Sequence, residues 1–288
     1  MSGLWQDFLA SWPLFRDAYL AGFAAAALLA LAGVFALAQR QVFAGVVVAQ
    51  CSTAGVALAL ALAALDGAVD HAHLHGAPLA CGVAFGVVGA IALGGARRGR
   101  DASEAIGLWL FVAASAASVL LLAHGAHGLE EIERLAFSSL IGADQSDVFR
   151  LTALLVAAVA VLVPCHRVLL LAATDADHAR ALGLPAMSLR VALAIALGVV
   201  IGATIHSVGT LFCVANLMLP ALAARRLART MRGTLVLAPV IAVTTCGIAF
   251  VLANGFDYPM GQVAAAVQAA TVPLASVIRR RPNSRTRP

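Results

Sequence analysis

The chain has 288 residues, 62% of them hydrophobic and only 11% charged, with a mean hydropathy of +0.95 and a formal net charge of +5. A soluble domain carries about a quarter charged residues, so this composition excludes an extended soluble domain or a disordered chain and points to a polytopic membrane protein. All 19 basic residues are Arg; without a Lys there is no P-loop, protein-kinase or Schiff-base site, so the chain is not by itself a P-loop ATPase.

In chain order, the N-terminus has Asp7 and no basic residue before Arg16, which does not read as a cleavable signal peptide. A crossing helix needs about 20 mostly apolar residues, and nine stretches qualify: Asp17–Ala38, Val42–Leu65, Pro78–Gly95, Ala105–Ala123, Leu151–Leu171, Leu189–His206, Val208–Ala224, Thr234–Ala253 and Gln262–Ile278. The fold class predicted is therefore all-α, one transmembrane helix bundle spanning residues 1–288, with a basic tail over residues 279–288. Small residues recur four apart as Gly45/Ala49, Gly55/Ala59 and Gly82/Gly86, a spacing that lets helix backbones approach closely in lipid. Only Ser207 and the Gly209 region divide the sixth stretch from the seventh, which leaves open whether one of them is broken or re-entrant. No Asp, Glu or Arg falls at the middle of a stretch, which argues against a carrier driven through an intramembrane carboxylate.

Arg placement orients the bundle. With the N-terminus outside, Arg40, the Arg97–Arg100 cluster, Arg167, Arg180, Arg190, the Arg225–Arg232 cluster and the five Arg of the tail all fall inside, and only Arg16, Arg134 and Arg150 fall outside. An N-out/C-in topology follows. The outer segments hold most of the acids and His71, His73, His75, His124, His127 and His206. They read either as an outer vestibule that attracts cations or as acids distributed freely while Arg is held inside. The five cysteines are widely spaced in apolar stretches with no CxxC and read mostly as small hydrophobes packed between helices rather than a disulfide framework. The pI near 9.4 is accounted for by the inner Arg and does not imply a nucleic-acid partner.

Between the fifth and sixth stretches, Thr174–Pro185 predicts one short helix. Thr174 is placed at the N-cap, Asp177 stands where a capping box has Glu, Gly183 fits the C′ position and Pro185 stops continuation. Ala179 and Leu182 share a face, which is expected to bury against a partner. Such a helix is a shape another protein can grip, or an ordinary interfacial connection.

Asp175-Ala176-Asp177-His178-Ala179-Arg180-Ala181-Leu182-Gly183-Leu184 resembles the cytoplasmic coupling segment of zinc/manganese-type ABC importer permeases. Four further stretches resemble that family in the same order: Gln39–Gly45 with Gly55–Leu58, Phe137–Gly142 followed by Asp147, Leu219–Arg225, and Asp257–Gly261. The resemblance covers about Asp17 to Ile278. It implies a type II importer permease in a bacterial plasma (inner) membrane, paired with a second permease copy, a separate cytoplasmic ABC ATPase that uses the ATP, and an extracytoplasmic metal-binding protein. It also implies that Asp175, Asp177, His178, Ala179, Arg180, Leu182 and Gly183 couple to the ATPase. No catalytic residue and no covalently bound cofactor is implied; a divalent metal is the transported substrate, zinc before manganese or iron.

One departure bears on that substrate. Where many family members carry an Asp and, four residues on, a His in the second span, this chain has Val46 and Gln50, neither a strong transition-metal ligand. Candidates for the translocation path are Gln50, Cys51, Cys213 and Asn216, with helix packing as the other reading. His71, His73 and His75 after Asp66 and Asp70, and His124 and His127 near Glu130, Glu131 and Glu133, offer imidazole and carboxylate groups suited to zinc, or are incidental in polar loops. The expectation is a permease working by alternating access. The alternatives are an ABC permease for another small solute or chelate, and a secondary metal carrier.

Overall fold

The computed structural model describes residues 2–39, 41, 43–65, 76–94, 100–123 and 140–280. Among these residues there are ten α-helices, one short 3-10 turn at Leu140–Gly142 and no strand. The helices are α1 (Ser2–Ala38), α2 (Ala44–Leu65), α3 (Gly76–Gly94), α4 (Arg100–Leu122), α5 (Gln145–Thr174), α6 (Ala176–Ala181), α7 (Ala186–Val208), α8 (Thr210–Leu227), α9 (Met231–Phe256) and α10 (Met260–Arg280). All but α6 are long and apolar enough to cross a bilayer, and each coincides with one of the nine expected stretches. Successive crossings bring α6, the C-terminal ends of α1, α3, α5, α8 and α10 and the N-terminal ends of α2, α4, α7 and α9 to one end of the bundle, here termed the Arg-rich end.

Helix α1 is longer than its expected span. At 1.5 Å per residue its 37 residues would reach about 56 Å, against roughly 30 Å of hydrocarbon. The backbone leaves helical geometry at Phe15 (φ −109°, ψ 17°), next to Pro13, so residues 2–14 form a separate helical lead-in that the apolar pattern did not reveal. Aromatic packing holds it down. The buried Tyr19 ring has centroids 5.1 Å from Phe8, 5.5 Å from Trp12 and 5.2 Å from Phe250 of α9.

Close backbone approach organises the interior. A Cβ on Gly198 would stand 2.6 Å from Val87 Cα, and one on Gly202 2.5 Å from Val83 Cα. The Gly82/Gly86 pair of α3 thus meets a second pair with the same spacing on α7. In lipid the driving force for such contact is van der Waals packing, which small residues maximise. Gly33 of α1 likewise lies against the Leu217 carbonyl of α8. The doubt over the sixth and seventh stretches resolves at one residue: Gly209 adopts φ 76°, ψ 165°, a region open essentially to glycine, and α7 and α8 stand as two separate helices on either side. The expected turn at Asp257–Gly261 is present too. Asp257 is left-handed (φ 53°), the Tyr258 N–H donates to the Ala253 carbonyl, and Pro259 leads into α10.

Candidate functional site

At the Arg-rich end, α6 is fixed at both ends by local chemistry. Its N-cap is Asp175, whose carboxylate accepts from the His178 N–H at 2.9 Å. Thr174, expected to cap, instead closes α5 by donating its hydroxyl to the Leu170 carbonyl at 2.8 Å. Asp177 has no capping-box position, because with Asp175 at the N-cap it stands at N2; its carboxylate pairs with Arg180 instead. At the C-terminal end, Gly183 has φ +77°. The Gly183 N–H donates to Arg180 O and the Leu184 N–H to Ala179 O, which is the Schellman pattern expected for a C′ glycine. Six residues cannot sustain an isolated helix, so these caps and packing on α5 and α7 keep it formed.

The shared face of Ala179 and Leu182 divides in the structure. Ala179 is 0% exposed, packed within the chain's own bundle, whereas Leu182 is 61% exposed. The expectation that both bury against a partner is therefore corrected: Ala179 is already covered. The surface left open includes Asp175, Asp177, His178, Arg180, Leu182 and Gly183: two acidic side chains, two basic or titratable ones and one apolar projection.

The path candidates also divide. Val46 and Gln50, one turn apart on α2, are both half-buried. Cys51 is buried, its Sγ 2.8 Å from where a Cβ of Gly89 would stand, and so it packs α2 on α3. Cys213 is buried with Sγ 3.5 Å from Thr204 Oγ1. Asn216 is fully buried, its Nδ2 donating to Phe212 O at 3.1 Å and its Oδ1 accepting from Gln268 Nε2 of α10 at 2.8 Å. Of the four, Gln50 alone retains partial exposure. Cys246 is buried, Cys81 half-buried and Cys165 exposed on α5, and all five cysteines are free thiols; most are packed between helices as expected, and Cys165 is not. His71, His73, His75, His124 and His127 lie outside the described residues. Among the described residues no group of three His, Cys, Asp or Glu is placed to hold a metal ion.

Two polar clusters join residues whose pairing the sequence did not show. At the end of the bundle opposite α6, Arg150 pairs with Asp147 one turn earlier on α5 and donates to Ser207 Oγ of α7 at 2.7 Å; Ser207 in turn donates to Asp147 Oδ1 at 3.0 Å. The Asn216–Gln268 amide pair joins α8 to α10 near mid-span. Asn216 was already a path candidate; its partner Gln268 was visible only as a Gln within an apolar stretch, and polar residues at that depth mark helix contacts or functional sites.

The model of a family described as the ABC 3 transport family matches residues 11–279. Two solved structures are similar to the chain: PsaBC from Streptococcus pneumoniae in complex with Fab, at 18% identity and TM-score 0.77, covering 94% of each chain, and an inward-facing structure assigned to the metal-chelate type of ABC transporter, at 17% identity and TM-score 0.73, covering 91% of this chain and 85% of that one. At these identities the likeness shows a shared fold. No curated protein sequence matches the chain.

Proposed function

The chain belongs to the ABC 3 transport family, and on that premise we propose that it is the membrane-spanning permease subunit of an ATP-driven importer that moves a divalent metal ion by alternating access. The observation that carries the proposal is α6. It is a short helix closed by caps at both ends, seated on α5 and α7 at the Arg-rich end, and it leaves Asp175, Asp177, His178, Arg180 and Leu182 open to a partner. In this reading the Arg-rich end is cytoplasmic and α6 sits in a separate ATPase. Closure of that ATPase on ATP moves α6 as a rigid piece, and α5 and α7, which flank it in the chain, pass the movement into the bundle. A second permease copy and an extracytoplasmic binding protein complete the assembly.

Zinc is the favoured substrate, on the chemistry of the three closely spaced imidazoles His71, His73 and His75 flanked by carboxylates. Val46 and Gln50 favour a second reading, a metal chelate or another small solute, because neither side chain is a good ligand for a bare transition-metal ion. Proteoliposomes holding the chain, its ATPase and its binding protein discriminate the two. ATP-dependent uptake of radiolabelled free zinc, manganese or iron supports the ion, while uptake only of a chelated metal supports the chelate. Gln50→Ala is expected to leave the metal preference unchanged, with selectivity set by the binding protein; a large loss for one metal alone shows instead that Gln50 is a ligand.

A further inference from the structure

A slot of about 380 Å³ runs between α1, α5 and α7 toward the Arg-rich end. Phe35, Val161 and Leu193 line it, together with Ala44 and Val48 of α2. Its mouth is lateral: Ala157 and Val161 on α5 and Ala192 and Ala196 on α7 line it and are exposed, within the stretches of both helices that cross the membrane. Residues two apart on a helix point about 200° apart, so Ala44 and Val48 lie on the opposite side of α2 from Val46 and Gln50. The slot is thus on the other side of α2 from Gln50, the path candidate that keeps partial exposure.

Among the described residues that line the slot, the polar side chains are at the Arg-rich end. Gln39 and Gln41 line it there. Arg190 stands one turn before Leu193 on the same face of α7, half-buried, with no hydrogen bond or ion pair among the described residues. An apolar cavity of about 150 Å³ in a soluble protein stays dry and accepts benzene; this slot is more than twice that size and opens sideways where the solvent is hydrocarbon. Basic pockets between crossing helices take anionic lipid headgroups, and the guanidinium fork suits phosphate oxygens. We propose that the slot binds one anionic phospholipid, with an acyl chain lying between α5 and α7 and the headgroup phosphate held by Arg190. The bound chain fills the gap between these two helices, which α6 joins.

This inference rests on the chain crossing a bilayer, not on the transported solute or on which end faces the cytoplasm. The full chain is purified in mild detergent from nanodiscs of equal phosphatidylglycerol and phosphatidylcholine, and the retained lipid is extracted and quantified by mass spectrometry. Wild type should retain phosphatidylglycerol over phosphatidylcholine by roughly tenfold, the scale of one charge-assisted contact. Arg190→Gln should bring the two lipids level, and Arg190→Lys should keep most of the preference. Ala196→Phe, at the mouth, should lower retention of both lipids together. Equal retention of the two lipids by wild type overturns the proposal, as does unchanged phosphatidylglycerol in Arg190→Gln or full retention of both lipids in Ala196→Phe. Displacement of phosphatidylglycerol by millimolar inorganic phosphate also overturns it, since that reveals a bare anion site. If Arg190→Gln does not purify as a monodisperse protein, the Lys and Phe variants decide.

Discussion

Two positions on one face of α6 must respond oppositely to the same substitution. Ala179 is 0% exposed within the chain's own bundle, and Leu182 is 61% exposed. Ala179→Asp places an unpaired carboxylate among α5, α6 and α7, at a cost of several kcal/mol. That is a large share of the roughly 5–15 kcal/mol that holds a typical domain together, so the permease itself should melt earlier and lose recovery in detergent. Leu182→Asp puts its carboxylate in water, and its effect on the isolated permease should stay within about 0.5 kcal/mol. If Leu182 is buried when the ATPase docks, the same carboxylate is desolvated without a partner there. A penalty of about 3 kcal/mol then lowers affinity roughly a hundredfold. Thermal melting of the purified permease and co-purification of the ATPase at moderate salt read the two effects separately. The expected pattern is a lowered melting temperature for Ala179→Asp alone, and loss of ATPase from a normally folded Leu182→Asp. Full ATPase recovery and intact uptake in Leu182→Asp would remove α6 from coupling and leave it an interfacial connection. An unchanged melting temperature in Ala179→Asp would refute the burial argument.

Three other outcomes are expected. A cysteine introduced at Ser284 should label only from the cytoplasm and one at Ala68 only from outside; labelling of the tail from outside reverses the orientation drawn from the Arg distribution. Gly198→Ala forces its Cβ to 2.6 Å from Val87 Cα, so the α3–α7 contact should open at a cost of about 1–3 kcal/mol, read as a lower melting temperature in detergent, whereas Gly76→Ala, with nothing within 4 Å of the added Cβ, should be neutral. Gln268→Leu and Asn216→Leu should each destabilise, and the double variant should lose less than their sum by about 0.6 kcal/mol or more; strict additivity would show that the 2.8 Å amide contact between α8 and α10 contributes nothing.

The sequence alone determined what depends on solvent and on chain-local geometry. Apolar runs with no Asp, Glu or Arg at their centres marked nine crossings, because a bilayer excludes unpaired backbone and charge from any run that spans it. Gly183 and Pro185 located the end of α6, because C-terminal caps are written within a few residues. Local chemistry also misled at close range: Asp175 and Thr174 are both good N-caps, and Asp175 holds the position because Thr174 bonds backward to Leu170. Only the tertiary structure decided which side chains face inward. In a bundle nearly uniform in hydrophobicity the apolar pattern carries no phase, so nothing in the sequence separated Gln50, half-exposed, from Cys51, Cys213 and Asn216, which are buried. The same holds for the partner of Gly82 and Gly86 on α7, for the Asp147–Arg150–Ser207 cluster across 57 to 60 residues of chain, and for Ala179 and Leu182, equivalent on a helical wheel and opposite in burial once α5 and α7 close over one side of α6.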